Sequence, residues 1–167
     1  SYDQTYYWRV DEVSTLGTET GEVWSFATQS CGSIAANWIY DSASTAGANE
    51  WSNADAWNVG YVPGVCNDVS IVRRDDEKCV IPVATAAEIN RLRIGNSNTG
   101  RCELEVNGGS LDVATDMILG IWAGADESNL SVVSGSVYVG GNLEVSYRSD
   151  NCYVDIADGT VTVAGQL

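Results

Sequence analysis

The sequence predicts an all-β chain: a parallel β-solenoid of about four coils with an N-terminal β-hairpin. Three observations carry that expectation. Apolar residues recur in register through residues 68–167, the composition is rich in β-branched residues and turn formers, and an alternating aromatic stretch opens the chain.

The repeat is the strongest of the three. Leu104 and Val106 are followed by Gly109, Leu111, Val113, Met117 and Leu119. Leu130 and Val132 are followed by Gly135, Val137, Val139, Leu143 and Val145, and Val154 and Ile156 by Gly159, Val161, Val163 and Leu167. Counted from the first residue of each set, the offsets are 0, 2, 5, 7, 9, 13 and 15, with the last set ending at 13. A degenerate earlier copy fits Cys79, Ile81, Leu92 and Ile94, with Ala84 at the glycine position. Each set reads as three short alternating strands whose inward residues share one core. Glycine at offset 5 permits the backbone turn between the first two strands. A single coil cannot bury its own apolar face, whereas coils stacked about 4.8 Å apart can. A Greek-key sandwich also has short strands and turns, but gives no reason for matched offsets over three copies.

Composition agrees. Seventeen Gly, abundant Ser, Thr and Asn, and a single Met and Phe suit short strands joined by turns. The net charge of −15 leaves no Lys/Arg cluster for nucleic-acid phosphates. No apolar run approaches the length of a membrane span. The chain opens on SYDQTYYWRV without a signal peptide, so a mature, processed or excised segment is expected.

Residues 1–30 form the first region. Thr5–Val13 alternates apolar and polar side chains, a turn follows at Leu16-Gly17-Thr18, and Glu22–Thr28 alternates again. This is a hairpin pattern, and an isolated hairpin is marginal in water, so it must pack on something else. The residues TYYWRVDEV…GEVWSF resemble the last two strands of a fibronectin type III-like sandwich. Residues 31–67 carry Trp38, Trp51 and Trp57 ahead of Val62-Pro63-Gly64, then Asn67-Asp68-Val69. The stretch EWSNADAWNVGYVPGVCNDVSI resembles the segment leading into β-solenoid regions of large secreted bacterial surface proteins. Its tryptophans read either as a cover for the open end of the core or as a sugar-stacking platform.

Chemistry finds little support. With no His, Ser-His-Asp and Cys-His catalysis are excluded. The acids considered are Asp75, Asp76, Glu77, Asp112, Asp116, Asp126, Glu127, Asp155 and Asp158. Asp112, Tyr138 and Thr162 share offset 8 and form an outward ladder without a carboxylate pair. Glu105 and Asp155 share offset 1 two coils apart, about 10 Å, too wide for a glycosidase pair. The expectation is therefore no enzyme and no cofactor, with weak calcium binding at Asp75-Asp76-Glu77 as the one metal option. Asn129-Leu130-Ser131 matches a glycosylation sequon, and Tyr138, Tyr147, Tyr153 and Trp122 offer an aromatic surface for a cell-surface polysaccharide.

Five cysteines without CxxC point to an oxidising, extracellular compartment rather than zinc. Cys31 with Cys66 is the preferred disulfide, and Cys79 with Cys102 is marginal on distance. Cys102 and Cys152 share a register two coils apart, about 10 Å, and cannot bridge within one chain, which leaves Cys152 over.

Both ends of the repeat array look uncapped, so strand edges and core are open to further pairing. The leading functional expectation is an extracellular structural protein that self-assembles head to tail into a homopolymer filament or surface appendage. The interface assigned to it comprises Tyr6, Trp8, Val10, Trp24, Phe26, Trp51, Trp57, Val161, Val163 and Leu167. The alternatives are a non-catalytic spacer or adhesin segment and a carbohydrate-binding module of a larger secreted protein.

Overall fold

The computed structural model describes residues 4–28, 31–43, 47–72, 77–95, 101–121, 127–148 and 151–167. They fall into two compact units, Ser1–Gly32 and Ser33–Leu167.

In the first unit, β1 (Thr5–Trp8), β2 (Glu12–Ser14), β3 (Gly17–Glu19) and β4 (Trp24–Ala27) form two nested antiparallel ladders. β1 pairs β4 from Thr5↔Ala27 to Trp8↔Trp24, and β2 pairs β3. The single long hairpin expected from alternation is thus broken in the middle. The register changes by one residue between Trp8↔Trp24 and Glu12↔Glu19, and at this break the Asp11 carboxylate accepts the Gly21 N–H at 3.1 Å and pairs with Arg9.

The second unit is the solenoid. It contains β5 (Ile34–Trp38), β6 (Asn67–Ile71), β7 (Cys79–Pro82), β8 (Ala86–Ile89), β9 (Arg91–Ile94), β10 (Arg101–Val113), β11 (Met117–Leu119), β12 (Glu127–Val139), β13 (Leu143–Glu144) and β14 (Cys152–Val163). These build two five-stranded sheets. One runs β14-β12-β10-β7, with β8 also on β10, and the other runs β13-β11-β9-β6-β5. Every named strand pair in them is parallel.

The register follows the sequence offsets. Cys79, Leu104, Leu130 and Val154 form one column, and Ile81, Val106, Val132 and Ile156 the next. Ala87, Leu111, Val137 and Val161 form another, and Leu92, Met117 and Leu143 face each other across the second sheet. Most of these side chains are buried in one core, where each aliphatic residue is worth about 1.5–3 kcal/mol relative to exposure.

Three features differ from expectation. The solenoid has about three turns, not four, because Leu167 at offset 13 of the last set lies outside any strand. The first two strands of each set run together as β10, β12 and β14 rather than being interrupted, with a register shift near the glycine corner where β10 pairs β12 and none where β12 pairs β14. Only the degenerate copy splits them, into β7 and β8. Finally, the left-handed backbone falls on Gly135 (φ +93°) but on Gly108 (φ +88°) rather than Gly109, and on Ala84 (φ +65°) in the first copy.

Cys31 and Cys66 form a disulfide. Cys79 and Cys102 do not, and with Cys152 they are thiols. Cys79 lies opposite Leu104, so Cys102 is displaced two residues along the neighbouring strand. Their Cα atoms are then about 8 Å apart by strand geometry, beyond disulfide reach. Burial pushes the Cys79 thiol pKa up, so it stays protonated. Cys102 and Cys152 share a register with Ser128 between them, as the repeat implies. Among the described residues, no helix is long and apolar enough to cross a membrane.

Candidate functional site at the β14 edge

The two ends of the solenoid are built differently. At the lead-in side, residues 49–58 lie across the outermost strands. Asn49 O and Trp51 N bond Val80 of β7 at 2.9 and 2.7 Å. Ala56 O accepts Ile39 N, Asn58 N donates to Asn37 O at 3.0 Å, and the Asn58 side chain accepts Asn37 N at 2.7 Å, along β5. Three tryptophans fill the space beneath. Trp57 packs edge-on against Trp38 (5.1 Å between centroids) and Trp51 (4.8 Å), and its indole N–H donates to Trp51 O at 3.0 Å. Tyr40 stacks obliquely on Trp38. All four are buried. Of the two readings open for these tryptophans, the geometry fits a cover for the core, since buried rings offer no stacking face.

At the opposite side, β14 is the outermost strand of its sheet, paired to β12 alone. Its inward residues continue the columns, yet they line an open apolar groove. Leu143, Val145, Val154, Ile156, Val161, Val163 and Leu167 enclose a volume of about 480 Å³. Val132 is 0 % exposed where a coil lies beneath it, and Ile156 in the same column is 47 % exposed. The anticipated residues Val161, Val163 and Leu167 meet in this groove. Tyr6, Trp8, Val10, Trp24 and Phe26 are exposed in the first unit, as cross-strand pairs Tyr6–Phe26 (5.3 Å) and Trp8–Trp24 (4.6 Å), with Val10 beyond the end of β1.

The acids disperse. Asp112, Tyr138 and Thr162 form the outward ladder, and Glu105, Ser131 and Asp155 another, at the registers expected. Glu105 is tied to Lys78 and accepts from Asn107, while Arg91 lies near both Asp68 and Asp116. Asp75, Asp76, Trp122 and Asp126 lie outside the described residues. Among the described residues, no group of three or more His, Cys, Asp or Glu could hold a metal ion. Tyr138, Tyr147 and Tyr153 are exposed, but Tyr138 and Tyr153 stand at offsets 8 and −1, at opposite ends of their strands. Asn129 of the sequon donates to Glu127 at 2.7 Å within β12.

One functional ladder was missed. Asp116, Asn142 and Gln166 all stand at offset 12, and the side-chain oxygens of Asp116 and Asn142 each receive the backbone N–H of the next residue in this ladder. Asn142 N donates to Asp116 Oδ1 at 3.0 Å, and Gln166 N to Asn142 Oδ1 at 2.9 Å. Their common offset was the available signal.

No protein-family model matches the chain, no curated protein matches it, and no solved structure matches it.

Proposed function

We propose that this chain is a non-catalytic structural segment of a secreted surface protein, a rigid spacer whose solenoid is continued coil by coil across β14. The observation carrying this reading is the asymmetry of the stack. On its lead-in side residues 49–58 and the tryptophan cluster cover β5 and part of β7, while on the other side β14 is an edge strand beside an apolar groove. The Cys31–Cys66 disulfide supports an oxidising, extracellular setting. So does the resemblance of the lead-in stretch to surface-protein solenoids.

A head-to-tail filament of separate copies is the other structural reading. It needs a receiving ladder at the lead-in side, where β5 and β7 already bond the chain's own segment. Copies that meet through β14 alone form a closed pair, and association stops at two. Sedimentation and negative-stain imaging of the chain at rising concentration test this. Monomers, or pairs abolished by Ile156→Lys with Val163→Lys, are the expected result. Long filaments whose growth those substitutions leave unchanged would overturn the spacer reading.

A further inference from the structure

We infer that the β14 edge accepts only a coil that carries glycine at offset 5 and a small residue at offset 11, so that the partner is a further coil of this same repeat. This rests on the reading of β14 as the edge where the stack is continued.

The selectivity comes from how closely each coil's corner approaches the main chain of the coil before it. A Cβ on Gly109 would lie 2.5 Å from Pro82 O, 2.7 Å from Ile81 Cγ2 and 2.7 Å from Thr85 O. One on Gly135 would overlap the Gly109 carbonyl. One on Gly159 would lie 2.5 Å from Val132 Cγ1 and 3.0 Å from Gly135 O. In every case the obstruction belongs to the preceding coil, so each coil imposes glycine on the one added beneath it. The exception fits. Ala84 holds this offset in the copy that opens the repeat, with no regular coil above it, and it is exposed.

The second corner repeats the arrangement. A Cβ on Gly141 would meet Asp116 Oδ1 at 2.5 Å and Thr115 O at 2.9 Å, and one on Gly165 would meet Gly141 O at 2.5 Å and Asn142 Oδ1 at 2.6 Å. Thr115 at the same offset in the coil of β10 is accommodated by bonding Asn90 O at 2.7 Å, so this position requires smallness rather than glycine. The offset-12 ladder adds direction. Asp116 receives Asn142 and Asn142 receives Gln166, which leaves the Gln166 side chain as the next acceptor in line. A generic apolar strand would fill the groove but would meet these corners with a Cβ.

The test duplicates residues 144–167 directly after Leu167, which adds one coil in register, and reads hydrogen exchange of the β14 amides together with Tm. The duplicated chain should slow β14 exchange at least tenfold and raise Tm. Gly159→Val placed in the appended copy alone should return β14 exchange to that of the unextended chain, while Thr160→Val in that copy, an outward position, should leave the protection intact. If the Gly159→Val copy protects β14 fully, the glycine requirement is wrong although the edge still accepts a coil. If the unaltered copy gives no protection, β14 is not an extension edge and the spacer reading falls with it.

Discussion

β12 and β14 have nearly the same pattern and different fates. Both place aliphatic residues at offsets 0, 2, 7 and 9, both carry glycine at offset 5, and they pair in unbroken register from Ser128↔Cys152 to Val132↔Ile156 and again from Ser134↔Asp158 to Val139↔Val163. Yet the inward residues of β12 are sealed and those of β14 border open solvent. Alternation therefore dictates which side chains face the core axis, but burial is a property of the neighbouring coil. In a solenoid, stability is largely a nearest-neighbour quantity. The same kind of substitution should thus cost very different amounts in the two coils.

The largest effect is expected from an unpaired charge. Leu130→Asp buries a carboxylate between two coils with no partner and should cost several kcal/mol, enough to unfold the solenoid. Leu167→Asp puts the same carboxylate at a position 91 % exposed and should change stability by less than about 0.5 kcal/mol. Urea unfolding followed by far-UV circular dichroism measures both. Comparable losses would mean that the groove is covered in the folded chain.

A gentler version holds the chemistry constant. Val139 and Val163 occupy the same column and are adjacent in register. Val139→Ala removes two buried methyl groups and should cost about 2 kcal/mol, including the cavity left behind. Val163→Ala should cost less than half of that, because part of its surface is already solvated. Equal costs at matched urea m-values would break the comparison between the strands.

How much of this was legible in the residues follows from the same distinction. The columns through Leu104, Leu130 and Val154 could be read because stacking is a translation: it repeats the same requirement at the same offset. So could the outward Asp112–Tyr138–Thr162 ladder and the Cys31–Cys66 pair. β5 could not. Ile34–Trp38 joins the second sheet beside β6 across a 28-residue excursion and carries no repeat offset of its own. The break between β1 and β2 comes with a one-residue change of register and a side-chain bond from Asp11, neither of which alternation registers. The sealing of the lead-in side was only half legible. Tryptophan density suggested a cover, but the backbone bonds of residues 49–58 to Val80, Asn37 and Ile39 have no sequence signature. At the β14 site, Val161, Val163 and Leu167 could be named from the pattern, whereas the offset-12 ladder passed unnoticed among polar turn residues.

The smallest effect separates geometry from packing at a single offset. Ala84 sits at offset 5 with φ +65°, a left-handed conformation in which an L side chain costs about 1–2 kcal/mol relative to glycine. Ala84→Gly relieves that strain, and because the residue is exposed it loses almost no buried surface. Against the gain stands the greater entropy of glycine in the unfolded chain, worth about 0.5–1 kcal/mol. The net expectation is a stabilisation of about 0.5 kcal/mol. Gly135→Ala reverses both terms, since it introduces a Cβ at φ +93° where the Gly109 carbonyl already lies, and it should destabilise by well over 1 kcal/mol. Opposite signs alone follow from the left-handed turn at both sites; a loss at Gly135→Ala clearly larger than the gain at Ala84→Gly, measured by urea unfolding of the two single variants, would show that offset 5 selects glycine through contact with the coil above as well as through the turn. Destabilisation by Ala84→Gly would instead mean that the alanine methyl is packed in the folded chain and that the left-handed strain at this corner is small.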